Sequence, residues 1–320
     1  MTDITHIIYA GGTFGSHGTP LSPLPADVFL PTLKQTLAER LPNIATDILP
    51  NTLIKDSSTL TPADFVSLYG TILKAYDAGA RRFVLITGTD SLSFLSAFLA
   101  NAFNGSDISL VITGSMQALF IADNPSHIIN NDSDAWVNLR DAIIATTEHK
   151  GVAVQFYHKL MDAKDTQKIN SQDHDAFIGV PLSVKNTNQT ECFDIKGALD
   201  NLPILANNTQ HTQITAIYCL PNDVANLEHQ LSQLSEHTRA VILIGFGAGN
   251  VPSSDKLITQ LQRLQAKQIS VICTTMCTFG GTSADYAAGA WQYQHGVRSS
   301  SLGIAGIYGQ TLWQTLQPNS

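Results

Sequence analysis

Positive charge is scarce in this chain. Its 18 lysines and arginines face 26 aspartates and glutamates over 320 residues, a formal net charge of −8 with histidine neutral. The longest cationic feature is the pair Arg81-Arg82, flanked by apolar sequence. Nucleic acid and anionic membrane surfaces, which require clustered cations, are excluded as expected partners. Cysteine is equally sparse: Cys192, Cys219, Cys273 and Cys277 are scattered through a chain too large to need staples, a usage that suits a reducing cytoplasm. Cys273 and Cys277 have no histidine close in sequence to complete a zinc site and read as buried thiols, so no metal and no cofactor is expected. No apolar run is long enough to span a bilayer. No basic segment with an apolar core and cleavage site precedes the strand-like run Ile4 to Ala10, so the expected location is cytoplasmic.

Apolar residues are plentiful, 43% of the chain against 14% charged, a composition that builds well-packed cores. The length suggests two domains. Short β-rich runs, Ile4 to Ala10, Phe83 to Thr87, Ser109 to Thr113 and Val152 to Tyr157, read as buried strands. Between them, Thr61 to Ala78, Ser91 to Ala102 and Asp134 to Thr147 carry apolar residues at helical spacing. This alternation predicts right-handed βαβ units and a parallel sheet covered by helices on both faces. The pattern weakens where 186–190 and 207–210 are polar and aperiodic, which suggests a linker over 186–212 with a short strand around Cys192 to Ile195. Further strands are expected at Ile214 to Leu220, Ala240 to Gly245 and Ile269 to Thr274. Leu227, Leu231 and Leu234 mark a helix between the first two. The expected class is α/β: a flavodoxin-like parallel-sheet domain over 1–185, the linker, and a smaller Rossmann-like α/β domain over 213–320.

Several of these strands end in small polar residues. Gly11-Gly12-Thr13-Phe14-Gly15 follows the first strand directly, and glycines on both sides let the backbone take positive φ and expose a small hydroxyl. Alone, the pentapeptide also fits a plain tight turn or a phosphate loop of dinucleotide type. Against the latter, the spacing is not G-x-G-x-x-G, and Pro20, Pro23 and Pro25 leave no helix N-terminus to receive a pyrophosphate. Thr87-Gly88-Thr89-Asp90-Ser91 is a second strand-to-helix turn, whose Asp90 falls where a capping carboxylate is common for structural reasons. Thr113-Gly114-Ser115 is a third. Ligands of open α/β sheets sit beyond the carboxyl ends of the strands, so the three turns should share one crevice. A threonine hydroxyl is inert unless a base and oxyanion donors converge on it, and two threonine turns on different strands make that convergence the point of interest.

Together these segments resemble the bacterial-type asparaginases and glutaminases, especially their cytoplasmic type I branch. The resemblance rests on GGTFG at 11–15, DSS at 56–58, TGTDS at 87–91, VITGS at 111–115, SDAWVNLRDAI at 133–143 and TQK at 166–168. Further on it includes GFGAGNVP at 245–252, with Asn250 retained, and a Cys277 segment followed by Tyr286 and Gly289. It implies an amidohydrolase that converts asparagine to aspartate and ammonia, with Thr13 as nucleophile and Thr89, Asp90 and Lys168 as a second polar cluster. It further implies that Asp56, Ser57 and Ser58 grip the α-carboxylate and α-amino group, with Asp90 also holding the ammonium. The physics fits, because a free amino acid presents one cation and one anion that need an acidic partner and hydroxyl or backbone donors opposite them. Without the resemblance, Lys168 reads as a solvated lysine after a loop. A homodimer or homotetramer whose interface completes the sites is also implied.

Two departures from that pattern stand out. The family carries a tyrosine on the loop after the first threonine, yet Phe14 to Lys55 contains none. His17 is the only imidazole in that span and is the candidate replacement base; its plain alternative is an exposed loop histidine. Near the C-terminus, Gly303-Ile304-Ala305-Gly306-Ile307-Tyr308 stands where an aspartate-methionine-threonine motif is expected, so either the intersubunit contribution differs or Tyr308 or another group substitutes. Glutamine remains open as a substrate, since it differs from asparagine by one methylene. Two other classes compete: a non-catalytic amino-acid-binding protein that kept the clamp and lost turnover, and an amidotransferase subunit. The second lacks an additional domain and a basic surface.

Overall fold

The computed structural model describes residues 4–121, 128–182 and 193–318. The chain divides into two compact units, Met1–Leu202 and Pro203–Ser320. The first contains β1 (Thr5–Tyr9), the short hairpin β2 (Ser16–His17) and β3 (Ser22–Pro23), α1 (Ala26–Arg40), β4 (Thr46–Ile48) and α2 (Pro62–Asp77). It continues with β5 (Arg82–Ile86), α3 (Leu92–Ala102), β6 (Ser109–Thr113), α4 (Ala135–Glu148), β7 (Gly151–Phe156), β8 (Lys159–Asp162), and the pair β9 (Gln167–Lys168) and β10 (Phe177–Ile178). The main sheet has the order β4-β1-β5-β6-β7-β8, parallel except for β8. Counting only its parallel strands, this is the flavodoxin-type order 2-1-3-4-5, whose switch point lies between β1 and β5.

Ile7, Tyr9, Val84, Ile86 and Val111 form one buried cluster with Phe29 and Leu33 of α1 and Leu139 and Ile143 of α4. The alternate positions Ile8, Phe83, Leu85, Leu110 and Ile112 are fully buried as well. Both faces of the sheet are therefore covered, which is why its strands appear in the sequence as unbroken apolar runs. Thr61 and Asp64 begin α2 with a reciprocal capping box, and Pro62 sits at the first helical position.

Among the described residues before 213, two helices lie where the sequence pattern gave none. Pro20, Pro23 and Pro25 delay α1 rather than prevent it: Pro25 becomes its N-cap residue, and Pro31 is carried inside it. The expected linker is partly helical, since α5 (Ile195–Asn208) starts from Asp194, whose carboxylate accepts from the Gly197 amide at 3.0 Å. Gly197 and Pro203 hide this helix from a periodicity argument. The strand expected around Cys192 to Ile195 is not seen at Phe193 to Ile195, and Cys192 lies outside the described residues.

The second unit holds β11 (Gln213–Tyr218), α6 (Val224–Ser232), β12 (Thr238–Gly245), α7 (Asp255–Ala266), β13 (Ser270–Thr275), α8 (Ala287–Tyr293), β14 (Arg298–Ser299) and α9 (Ile304–Leu316). Its sheet, β11-β12-β13-β14, is parallel throughout. Leu227, Leu231, Leu257 and Leu261 of α6 and α7 cluster with Ile217, Val241, Leu243 and Val271. Ile242, Ile244 and Ile272 cluster with Ile307 of α9, and Tyr308 packs against them. Burial among apolar side chains pushes the Tyr308 phenol up. Leu234 lies past the end of α6. Cys273 is buried as expected, with its thiol pushed up to about 11 by that burial, but Cys277 is exposed because the chain leaves β13 at Thr275 and turns outward. Among the described residues, no helix is long and apolar enough to cross a membrane.

Candidate active site

Four chain segments meet at the carboxyl ends of β1 and β5, and glycines make the approach close. Gly11 and Gly12 have φ of 101° and 89°. A Cβ on Gly11 would fall 2.2 Å from the Lys55 carbonyl oxygen, and one on Gly12 would fall 2.3 Å from Gly88 Cα. A Cβ on Gly88 would meet Ser57 Oγ at 2.4 Å, and one on Gly114 would meet the Thr87 oxygen at 2.3 Å. Backbone thus lies on backbone at 11–12, 55, 87–88 and 114, and the Ser57 side chain closes on Gly88, as the shared crevice requires. Gly12→Ala forces both threonine turns apart. The expected result is a folded protein in which any chemistry shared by these turns falls at least about 100-fold, the order of loss from misplacing a reacting group by 1 Å. Steady-state turnover with circular dichroism as the fold control measures it.

Thr13 opens a single 3-10 turn, Thr13–Gly15, and is half-buried; among the described residues its hydroxyl makes no hydrogen bond. Thr89 is 8% exposed and its Oγ1 accepts from Lys168 Nζ at 2.8 Å. The same Nζ lies 3.0 Å from Asp90 Oδ1. Lys168 reaches this point from β9, which pairs with β10 through Lys168 and Phe177. Asp90 does not cap a helix: Ser91 is the N-cap residue of α3 and makes no side-chain cap bond. Its carboxylate instead faces Lys168 and solvent.

Ser57 is buried, its Oγ accepting from the Asp90 amide at 3.2 Å, while its carbonyl accepts from Ser91 Oγ at 2.7 Å. The 56–58 segment is thereby tied to the second threonine turn. Asp56 is exposed and accepts from the Ser58 amide (2.9 Å) and hydroxyl (2.8 Å), bonds that hold its carboxyl below the usual range. His17 stands in β2 opposite Ser22, half-buried, with no hydrogen bond among the described residues. The adjoining Ser16 hydroxyl donates to the Gly12 carbonyl at 3.2 Å, and the Leu24 amide donates to the Gly15 carbonyl at 2.9 Å. Tyr9 also reaches this turn, its phenol occupying the space a Gly15 side chain would need, but it is sealed in the core and burial raises it well above the ordinary phenol range. Among the described residues, no group of three His, Cys, Asp or Glu could hold a metal ion.

Sequence reasoning assigned no role to Asp134 and Asn138. Asp134 is 4% exposed and accepts from the Met116 amide (3.0 and 2.9 Å), the Gln117 amide (3.1 Å) and Asn138 Nδ2 (2.9 Å). Burial raises its carboxyl, and the Met116 and Gln117 amides pull it back. Asn138 Nδ2 donates to the Gly114 carbonyl (3.0 Å) and its Oδ1 accepts from the Tyr157 amide (2.8 Å). One helix face thus pins the 113–117 turn and the β7–β8 turn, where Tyr157 and His158 both take positive φ, 45° and 62°. That backbone costs on the order of 1–2 kcal/mol per residue, so it needs such a clamp. Asp134→Ala takes the charged acceptor away from the Met116 and Gln117 amides and removes one of the two acceptors of the buried Asn138 Nδ2. It is expected to lower stability by about 3 kcal/mol or more, read as a lower urea midpoint at unchanged slope.

A model of the family described as "Asparaginase, N-terminal" matches residues 5–193. The human 60 kDa lysophospholipase is 24% identical over 264 residues, which cover 81% of this chain and 44% of that protein. The chain therefore spans less than half the length of that relative. L-asparaginase 1 of Escherichia coli K12 is 24% identical over 301 residues, covering 89% of this chain and 83% of that protein. Among solved structures, L-asparaginase I from Vibrio cholerae matches with a TM-score of 0.76 at 21% identity, covering 100% of this chain and 94% of that one. At that identity the likeness is one of fold.

Proposed function

The chain belongs to the asparaginase family, and from that membership we propose that it hydrolyses the side-chain amide of asparagine to aspartate and ammonia. In this reading Thr13 Oγ1 attacks the amide carbon while its proton passes to a base, and the resulting oxyanion faces backbone amides. The C–N bond breaks as the nitrogen takes up a proton, and ammonia leaves. Water then attacks the ester carbon, aspartate departs, and the Thr13 hydroxyl is restored. Asp90 takes the substrate ammonium; the Ser57-Ser58 segment takes the α-carboxylate. The observation that carries the reading is the Thr89–Lys168–Asp90 chain of contacts on a turn packed through Gly88 against Gly12, next in sequence to Thr13, whose hydroxyl makes no hydrogen bond among the described residues, at the sheet's switch point.

His17 is the proposed base, supported by its position four residues after Thr13 on the strand that continues the catalytic turn. His17→Ala is expected to lower hydrolysis by roughly 10²- to 10⁴-fold. A pH–rate profile identical to the parent's at every pH would place the base elsewhere. The reading as a whole is tested by ammonia release from asparagine and from glutamine. Asparagine should lead by about tenfold or more, the worth of one methylene in a fitted pocket. Release from neither, with aspartate still bound, would leave an amino-acid-binding member of the family without turnover.

A further inference from the structure

A second concave site lies wholly within the unit 203–320, at the amino ends of its strands. It is a cavity of about 870 Å³ whose wall includes Arg239, Arg263, Lys267 and Arg298, with Glu236 as its one carboxylate among the described residues. Four cations at one mouth are unexpected in a chain of net charge −8. The plain explanation is that they offset helix dipoles, because α5, α6, α7 and α9 all end there. Each helix end carries about half a negative charge, so four supply roughly −2. With Glu236 the total against the four cations still leaves a surplus of roughly +1.

The hydrogen bonds point the same way. The last carbonyls of α7 are already occupied by backbone amides: Lys267 N on Arg263 O and Leu264 O, Gln268 N on Gln265 O, and Ile269 N on Leu264 O. Their side-chain cations are left over, and among the described residues none of the four makes an ion pair with a carboxylate. Arg239 Nη1 donates to the Glu236 and Thr238 carbonyls at 2.9 and 3.4 Å, which fixes its guanidinium at the rim with donors to spare. Thr238, in the same wall, is fully buried and its Oγ1 has no partner in the protein; Gln260 Oε1 is likewise unpartnered.

We propose that this cavity binds a phosphate dianion, free or as a small monoester. Three of its four cations are arginines, whose planar forks match phosphate oxygens two at a time. The volume exceeds what phosphate alone would fill, so the cavity also has room for an ester's organic portion.

The test uses the full chain, titrated with inorganic phosphate and with glycerol 3-phosphate at constant ionic strength against chloride. Calorimetry and the thermal midpoint are followed together. Saturable binding of at least one ligand is expected, and tighter binding of the ester identifies an esterified occupant. Arg263→Gln/Arg298→Gln should weaken that binding by at least about tenfold, the effect of removing charge-assisted hydrogen bonds, while Lys34→Gln, an exposed lysine of the other unit, should leave it unchanged. All the altered side chains are exposed, so the fold is retained and unliganded circular dichroism checks it. No saturable binding by the parent, or parent-like affinity in the double variant, overturns the proposal.

Discussion

Thr13→Ala is expected to reduce ammonia release from asparagine by roughly 10⁴-fold or more, the scale on which a nucleophile acting with its base is lost. Gly11 and Gly12 are held at positive φ against Lys55 and Gly88, so the position of Thr13 is set by contacts that do not involve its own side chain. Removing one hydroxyl and one methyl from a half-buried residue with no side-chain hydrogen bond among the described residues disturbs little else. Aspartate binding, followed as a rise in thermal midpoint, should therefore persist in the variant while turnover disappears. That separation matters, because loss of both would indicate a collapsed turn rather than a missing nucleophile. Turnover within tenfold of the parent would show that the attacking oxygen is not Thr13.

The turn itself was legible in the sequence because glycine flanks report backbone demands directly. Its neighbour at 87–91 was legible as a strand end of the same crevice and 56–58 only through the family resemblance, and it is the sheet order and the Ser57 contacts that tie 11–15, 56–58 and 87–91 together. Asp90 illustrates the limit of local reasoning. Its place one residue before a helix suggested a cap, but Ser91 occupies the cap position and the Asp90 carboxylate turns to Lys168, 78 positions away in the chain. No periodicity reports a contact of that range. Asp134 failed for a related reason: it sits at the start of α4 yet spends its oxygens on amides of a loop 17 and 18 residues earlier. The helices α1 and α5 were hidden by Pro31, Gly197 and Pro203, residues that lower helix propensity but are overridden by tertiary packing, as the burial of Phe29, Leu33 and Leu205 indicates.

Lys168→Met is the second large effect, an expected fall in kcat of about 10²- to 10⁴-fold with a smaller change in KM. Lys168 Nζ can only donate, so at 2.8 Å it makes Thr89 Oγ1 an acceptor. The Thr89 hydroxyl hydrogen is then free to point into the crevice, towards an attacking oxygen or the departing nitrogen. Methionine keeps the length and apolar stem of the lysine but removes the donor, and Thr89 loses the partner that fixes its rotamer. Asp90→Asn should behave differently. It weakens the grip on the substrate ammonium, so KM rises first, whereas the Thr89–Lys168 bond can remain. The two variants therefore separate positioning of the hydroxyl from binding of the amino group, although one ammonium touches both side chains. If Lys168→Met retains kcat within threefold of the parent, the lysine acts only as a counter-ion for Asp90, and the proton path must run through the 11–17 segment alone.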